Sequence, residues 1–244
     1  MGDAGSVFDN PAGLAIIRHI ALEGSYRRTT TGDHVIMAAG AWRVRQFDLG
    51  GGVQYYGPVS GPPVGPTELL GVGSVVYRFG LIALGASGKE LRRTTAGIQE
   101  QGAGLDLGMA VAVFDLVALA FSVQNLGGNL MHGTGLPMPR LSRFGFTMNY
   151  VDPQESFRLR SVLEVQWPEG RSTRVVLGGE AGTAIKGVGV VGRLAYGSRW
   201  VGYQPAAVTY GGSVLLGRVT ADYAFEPNPA LADSRHRVGL RLTF

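Results

Sequence analysis

Apolar and polar side chains alternate along most of this chain, and its last ten residues show the pattern most plainly. In the run from Arg235 to Phe244, Val238, Leu240, Leu242 and Phe244 fall on one side. Arg237, Gly239, Arg241 and Thr243 fall on the other. A β-strand sends alternate side chains to opposite faces, so this strand divides an oily medium from a wet one. In a soluble sandwich the charged face meets bulk water. In a membrane barrel the apolar face meets lipid and the charged face lines the lumen.

The alternation recurs in runs of about ten residues closed by turns, the length a tilted membrane strand needs. The runs cover residues 19–26, 35–42, 47–56, 69–79, 81–89, 104–113, 117–124, 143–150, 157–167, 173–182, 188–196, 207–216, 218–225 and 235–244. They predict about fourteen strands, an even number, joined alternately by short turns and longer loops. In the middle of the chain Phe144, Phe146, Met148 and Tyr150 oppose Arg143, Gly145, Thr147 and Asn149. Phe114-Asp115 and Asp152-Pro153 read as turns, while 57–66 and 127–139 read as Pro- and Gly-rich loops. Tyr26, Tyr55, Tyr150, Trp167, Tyr196 and Phe225 sit near run ends, where an interfacial girdle needs aromatic rings. The predicted fold class is all-β, an antiparallel up-and-down transmembrane β-barrel, and the 244 residues read as a single domain. A two-sheet soluble sandwich is the alternative architecture.

Composition agrees with a membrane barrel. Hydrophobic residues make up 45% and charged residues only 16%, against roughly a quarter charged in an average soluble domain. The 39 Gly and 12 Pro fall between the apolar runs instead of gathering in one linker. Without cysteine, disulfide scaffolds, thiolate metal sites and Cys nucleophiles are excluded. The net charge of +4 comes from basic residues scattered singly or in pairs, a pattern that argues against nucleic acid. Residues 103–123 come nearest to a spanning helix, but Asp106 and Asp115 interrupt them. The opening Met-Gly-Asp-Ala-Gly-Ser lacks the basic and apolar regions of a signal peptide. An exported barrel needs that signal, so the N-terminus is expected to be truncated or its start misassigned.

Candidate chemistry is sparse, and no catalytic residue is assigned. Gly187-Val188-Gly189-Val190-Val191-Gly192 matches G-x-G-x-x-G, yet it lies in a strand pattern with no acid near 208–212 to hold a ribose. His19, His34, His132 and His236 show no metal-ligand spacing, and no nucleophile elbow surrounds any serine. What stands out is an ionisable set on the predicted inner faces: Glu23, Asp106, Arg143, Arg158, Arg160, Glu164, Glu180, Arg193, Asp222, Arg237 and Arg241. An arginine facing lipid at mid-membrane costs roughly 2–4 kcal/mol, so these residues are expected to line a lumen. They serve there either as an interior salt-bridge network or as a polar path for an amphipathic ligand's head group.

The first residues fit none of the strands. The stretch from Gly2 to Ala15, with Asn10-Pro11-Ala12-Gly13-Leu14 at its centre, resembles a segment of the long-chain fatty acid transporter (FadL-type) superfamily, especially its shorter PorV/PorQ branch. Phe121 to Gly128, Leu136 to Pro139 and the final hairpin from Tyr223 to Phe244 are similar to the same branch. Physically, Asn10 to Gly13 is a turn sequence, and an ordinary turn before the first strand is the plainer alternative. The resemblance implies a fourteen-stranded barrel (18–244) with 1–17 as the remnant of an inner hatch. It also implies Val238, Leu240, Leu242 and Phe244 as the signal read by the barrel-assembly machinery. The function it implies is not enzymatic and needs no cofactor or metal. It is a gated passage or binding of hydrophobic or amphipathic molecules across the outer membrane of a Gram-negative bacterium. The alternative is a type IX secretion-associated scaffold or cargo shuttle. The implied partners are outer-membrane lipid, the assembly machinery, and either a hydrophobic small molecule or a secreted protein. Compact loops favour the scaffold, and charges placed at Val64 and Leu136 are expected to separate the two roles.

Overall fold

A computed structural model of the chain describes residues 3–58, 65–113, 116–127, 138–151, 157–185, 187–198, 208–227 and 234–244. Fourteen strands follow in order: β1 (Ile20–Thr29), β2 (Asp33–Val44), β3 (Phe47–Pro58), β4 (Thr67–Phe79), β5 (Ile82–Thr95), β6 (Ile98–Val113) and β7 (Val117–Leu126) form the first half. The second half holds β8 (Leu141–Val151), β9 (Phe157–Pro168), β10 (Arg174–Ile185), β11 (Val188–Gly197), β12 (Val208–Leu216), β13 (Val219–Glu226) and β14 (Arg235–Thr243). Each strand pairs antiparallel with its sequence neighbours, and β14 pairs with β1 to close the barrel. At the seam Ala21 opposes Thr243 and Thr29 opposes Arg235. The N–H of Phe244 donates to the Ile20 carbonyl at 2.9 Å, and the N–H of Ile20 donates back at 3.3 Å. Closure leaves no strand edge with unpaired backbone groups facing lipid, which is why a sheet can span a bilayer at all. The two-sheet sandwich does not form.

β1 starts and β14 ends on the side of the barrel that carries the short β2–β3, β4–β5, β10–β11 and β12–β13 connections, here called the turn end. The longer β3–β4, β7–β8 and β11–β12 connections lie at the opposite, loop end. The segments 59–64 and 128–137, which hold most of the two expected loops along with Val64 and Leu136, lie outside the described residues. So do Phe114-Asp115 and Asp152-Pro153.

One hairpin is longer than the alternation predicts. The pattern ends one strand at residue 89 and begins the next at 104, but β5 runs to Thr95 and β6 starts at Ile98. Between them Ala96 and Gly97 both take positive φ, 50° and 82°, the geometry of a tight two-residue hairpin turn. The added residues, including Glu90, Arg92, Arg93, Gln99, Glu100 and Gln101, are polar toward both faces. They carry no alternation to read.

Outside, Ile36, Leu49, Leu84, Leu107, Leu177, Leu194 and Leu240 stand exposed as an apolar belt. Rings gather toward both ends of this surface. Phe47 and Tyr77 pack 5.2 Å apart at the turn end. At the loop end His34 lies between Tyr26 and Tyr55, and Phe225 between Tyr210 and His236. The hydrophobic core lies inside the barrel instead. Ala4, Val7, Ala12, Leu14 and Ile17 of the N-terminal segment pack on Ala21, Ala39, Ala41, Val72, Val76 and Ala83 of the wall.

Candidate functional site

Residues 3–16 form two short 3₁₀ helices, Ala4–Phe8 and Pro11–Ile16, that cross the lumen. Asn10 caps the second, its Oδ1 accepting from the Ala12 N–H at 3.0 Å, and Pro11 begins it, where a missing N–H costs nothing. Pro11, Ala12 and Leu14 are buried, while Gly13 lines the open part of the lumen. Full burial of Leu14 and Val7 contributes about 1.5–3 kcal/mol each.

The wall makes room for this segment with glycine. A Cβ on Gly50 falls 2.5 Å from Leu14 Cδ1 and 2.9 Å from Val7 Cγ1. On Gly52 it falls 2.6 Å from the Phe8 ring, and on Gly85 2.7 Å from the Ala12 nitrogen. On Gly108 it runs into the Asn10 side chain. All four point inward from β3, β5 and β6, and any side chain there displaces the segment.

Polar anchors hold the segment around the barrel. The N–H of Gly5 donates to Glu23 Oε2 at 3.0 Å, and Arg241 lies 3.3 Å from Asp3. Gln124 donates to the Phe8 carbonyl at 2.7 Å and Ser122 to that of Asp9 at 3.3 Å. Arg143 pairs with Asp9 at 2.8 Å. At the turn end Arg43 donates to the Ala15 carbonyl at 2.6 Å. Arg43 is itself fixed by the fully buried Asp48, which also faces Arg78, each at 2.9 Å.

The eleven ionisable residues singled out from the alternation all point inward, and the structure brings most of them together. Across β9, β10 and β11 the register sets Arg160, Glu180 and Arg193 side by side. Glu180 lies 3.4 Å from Arg160, 3.8 Å from Arg158 and 2.7 Å from Arg193. Arg193 continues to Asp222 at 3.3 Å, with Ser213 bonded between them, and Asp222 meets Arg241 at 2.8 Å. Arg237 reaches Glu23 at 3.5 Å, and Arg143 lies 3.9 Å from Glu164. Asp106 stands apart, buried in β6, where it pairs with Lys89 at 2.8 Å and accepts the Asn125 N–H. That bond sits at a register shift between β6 and β7, where Asn125 takes a φ of 62°.

Lys89, Arg43, Asp48 and Arg78 also point inward and were absent from the set read off the sequence. Between Asp33 and Arg43 the inner face of β2 is Val35, Met37, Ala39 and Ala41, so both faces of its middle read as apolar and parity gave little signal. Val238, Leu240 and Phe244 stand exposed on the outer face, with Leu242 half-buried beside them. Gly189 and Gly192 lie in β11, and among the described residues no helix follows them.

Between the inner segment and the far wall lies a cavity of about 1020 Å³. Phe8, Val35, Met37, Ala83, Ala110 and Ala112 give it an apolar side, and Arg143, Thr147, Asn149, Arg158, Arg160 and Glu164 give it a polar one. It reaches Gly80 and Leu81 at the turn end, and Arg27 and Gln54 toward the loop end.

A closed antiparallel barrel with an even strand number, an apolar outer belt and a charged interior is an outer-membrane barrel of a Gram-negative bacterium. Solved structures carry the same fold. The Pseudomonas putida toluene transporter TodX superposes over 97% of this chain and 91% of its own, with a TM-score of 0.63 at 10% identity. The Acinetobacter baumannii outer membrane protein Omp33 gives 93% and 98%, 0.58 and 9%. A bacterial polysaccharide outer membrane secretin gives 94% and 99%, 0.52 and 10%. At such identities the likeness is one of fold. No protein-family model and no curated protein matches the chain.

Proposed function

We propose that this barrel binds hydrophobic or amphipathic molecules in its lumen and passes them across the outer membrane. The carrying observation is the two-sided cavity beside the inner segment. An apolar flank from Phe8, Val35 and Met37 faces a polar flank from Arg143, Arg158 and Arg160. A pocket of that volume, with a charged flank set against an apolar one, suits a small ligand with a tail and a head. The fold shared with a toluene transporter supports the reading without specifying the ligand. The outward Val238, Leu240 and Phe244 are assigned, in the same reading, to recognition by the barrel-assembly machinery.

The test is mass spectrometry of the protein extracted gently from native outer membrane, paired with uptake of a fluorescent apolar probe. A stoichiometric apolar small molecule, together with probe uptake lost on Met37→Asp, is the expected result. An empty lumen with a co-purifying secreted protein overturns the reading in favour of a secretion scaffold.

A further inference from the structure

Charge is shared unevenly around the cavity. Arg158, Arg160 and Arg193 converge on the single carboxylate of Glu180. Arg193 and Arg241 share Asp222, and Arg241 takes Asp3 from the inner segment as a further counter-ion. Among the described residues these four arginines pair with two wall carboxylates and one from the segment. Among the described residues lining the cavity, Arg27, Arg78, Arg143, Arg158, Arg160 and Arg237 outnumber Asp3, Asp9, Glu23 and Glu164.

The cations are also spread along its length. Arg27 and Arg237 lie toward the loop end, Arg143 follows, and Arg160 and Arg158 lie toward the turn end. The side chain of Arg160 is only 5% exposed and is steadied by Asn149 Oδ1 at 2.6 Å. That of Arg158 is 52% exposed to the cavity. Low-dielectric walls around an excess of one sign focus the field along the axis, and arginine-lined constrictions favour anions.

The inner segment is seated more firmly than a loose gate requires. Val7 and Leu14 are fully buried against glycine, and polar anchors reach it from β1, β2, β7, β8 and β14. The cavity already lies beside it.

We propose that residues 3–16 stay seated while solutes pass beside them, through the slot between the segment and the arginine-bearing wall of β8–β14. This slot prefers anions, small carboxylates and phosphates included, and Arg158 and Arg160 set the preference at its turn end. The inference rests on the reading of the barrel as a passage, but not on the ligand being apolar.

The full chain in planar bilayers under a KCl gradient tests it. The wild-type reversal potential is expected on the anion side. Arg158→Glu shifts it toward the cation side, and Arg158→Lys restores it. Because the chain has no cysteine, Asp9→Cys with Ser122→Cys, whose native hydroxyl donates to the Asp9 carbonyl at 3.3 Å, can tether the segment to the wall by a disulfide. The oxidised pair is expected to conduct like the reduced one. Current lost on oxidation and regained with reductant overturns the seated segment, since the segment must then leave for passage. A cation-selective wild type, or no shift in Arg158→Glu, overturns the assigned selectivity, and absence of any conductance overturns the slot. Anion conductance without apolar-probe uptake overturns only the ligand class proposed above.

Discussion

The two halves of the barrel wall are built from the same alternating strands and end with opposite interiors. From β2 to β6 the inward positions are largely small or apolar, with Gly50, Gly52, Gly85 and Gly108 lying directly under the inner segment. From β8 to β14 the inward positions carry Arg143, Arg160, Glu164, Glu180, Arg193, Asp222 and Arg241. The first wall meets protein and excludes water, so it needs close packing. The second meets a wet cavity, so its charges stay partly hydrated and pair sideways along the sheet. The contrast shows that the lipid-facing pattern specifies a barrel wall, while the inward residues record what each stretch of wall touches.

Substituting one residue type on both walls tests that contrast with the largest expected effect. Gly108→Leu places a side chain where Asn10 and Pro11 sit, whereas Gly145 of β8 has nothing within 4 Å of its would-be Cβ. Gly108→Leu is expected to cost about 3 kcal/mol, the upper end for overpacking. It should also speed trypsin cleavage after the already exposed Arg18, while Gly145→Leu stays nearly neutral. Heat-modifiable gel migration and limited proteolysis read both, and equal tolerance at the two sites would remove the distinction between the walls.

A somewhat smaller loss is expected from Glu180→Gln, which leaves three arginines without their shared carboxylate. Breaking a well-buried charge pair costs about 3–5 kcal/mol, and the hydrated cavity should bring the cost here to the low end or below. Urea unfolding in detergent measures it. The weakest effect belongs to Asp9→Asn. The Asp9 side chain is 63% exposed where it meets Arg143, so the loss should stay within the ~0–1 kcal/mol of a surface pair. A large loss there would mean that the segment hangs on that one contact instead of on its buried apolar face.

Much of this architecture was legible from side-chain parity. Every strand has its middle where the alternation puts it, because lipid on one side and water on the other impose a period of two. The arms of β5 and β6 beyond residues 89 and 104 escaped notice because Glu90 to Gln101 present polar groups on both faces, where no contrast of media remains. Asp48 and Lys89 escaped for the converse reason, since their neighbours on the same inner faces are small or apolar. The inner position of residues 3–16 came from a resemblance, not from any periodicity.

By itself the sequence determined which segments are strands and, wherever apolar and polar positions alternate clearly, which face meets lipid, because both follow from local alternation against two solvents. Only the tertiary structure decided which charges meet. Arg193 reaches Asp222 across β12, and Arg241 reaches Asp3 over 238 positions of chain. Those partners depend on the register of the closed sheet and on where the inner segment lies. Both are set by packing among distant residues, and no local pattern carries that information.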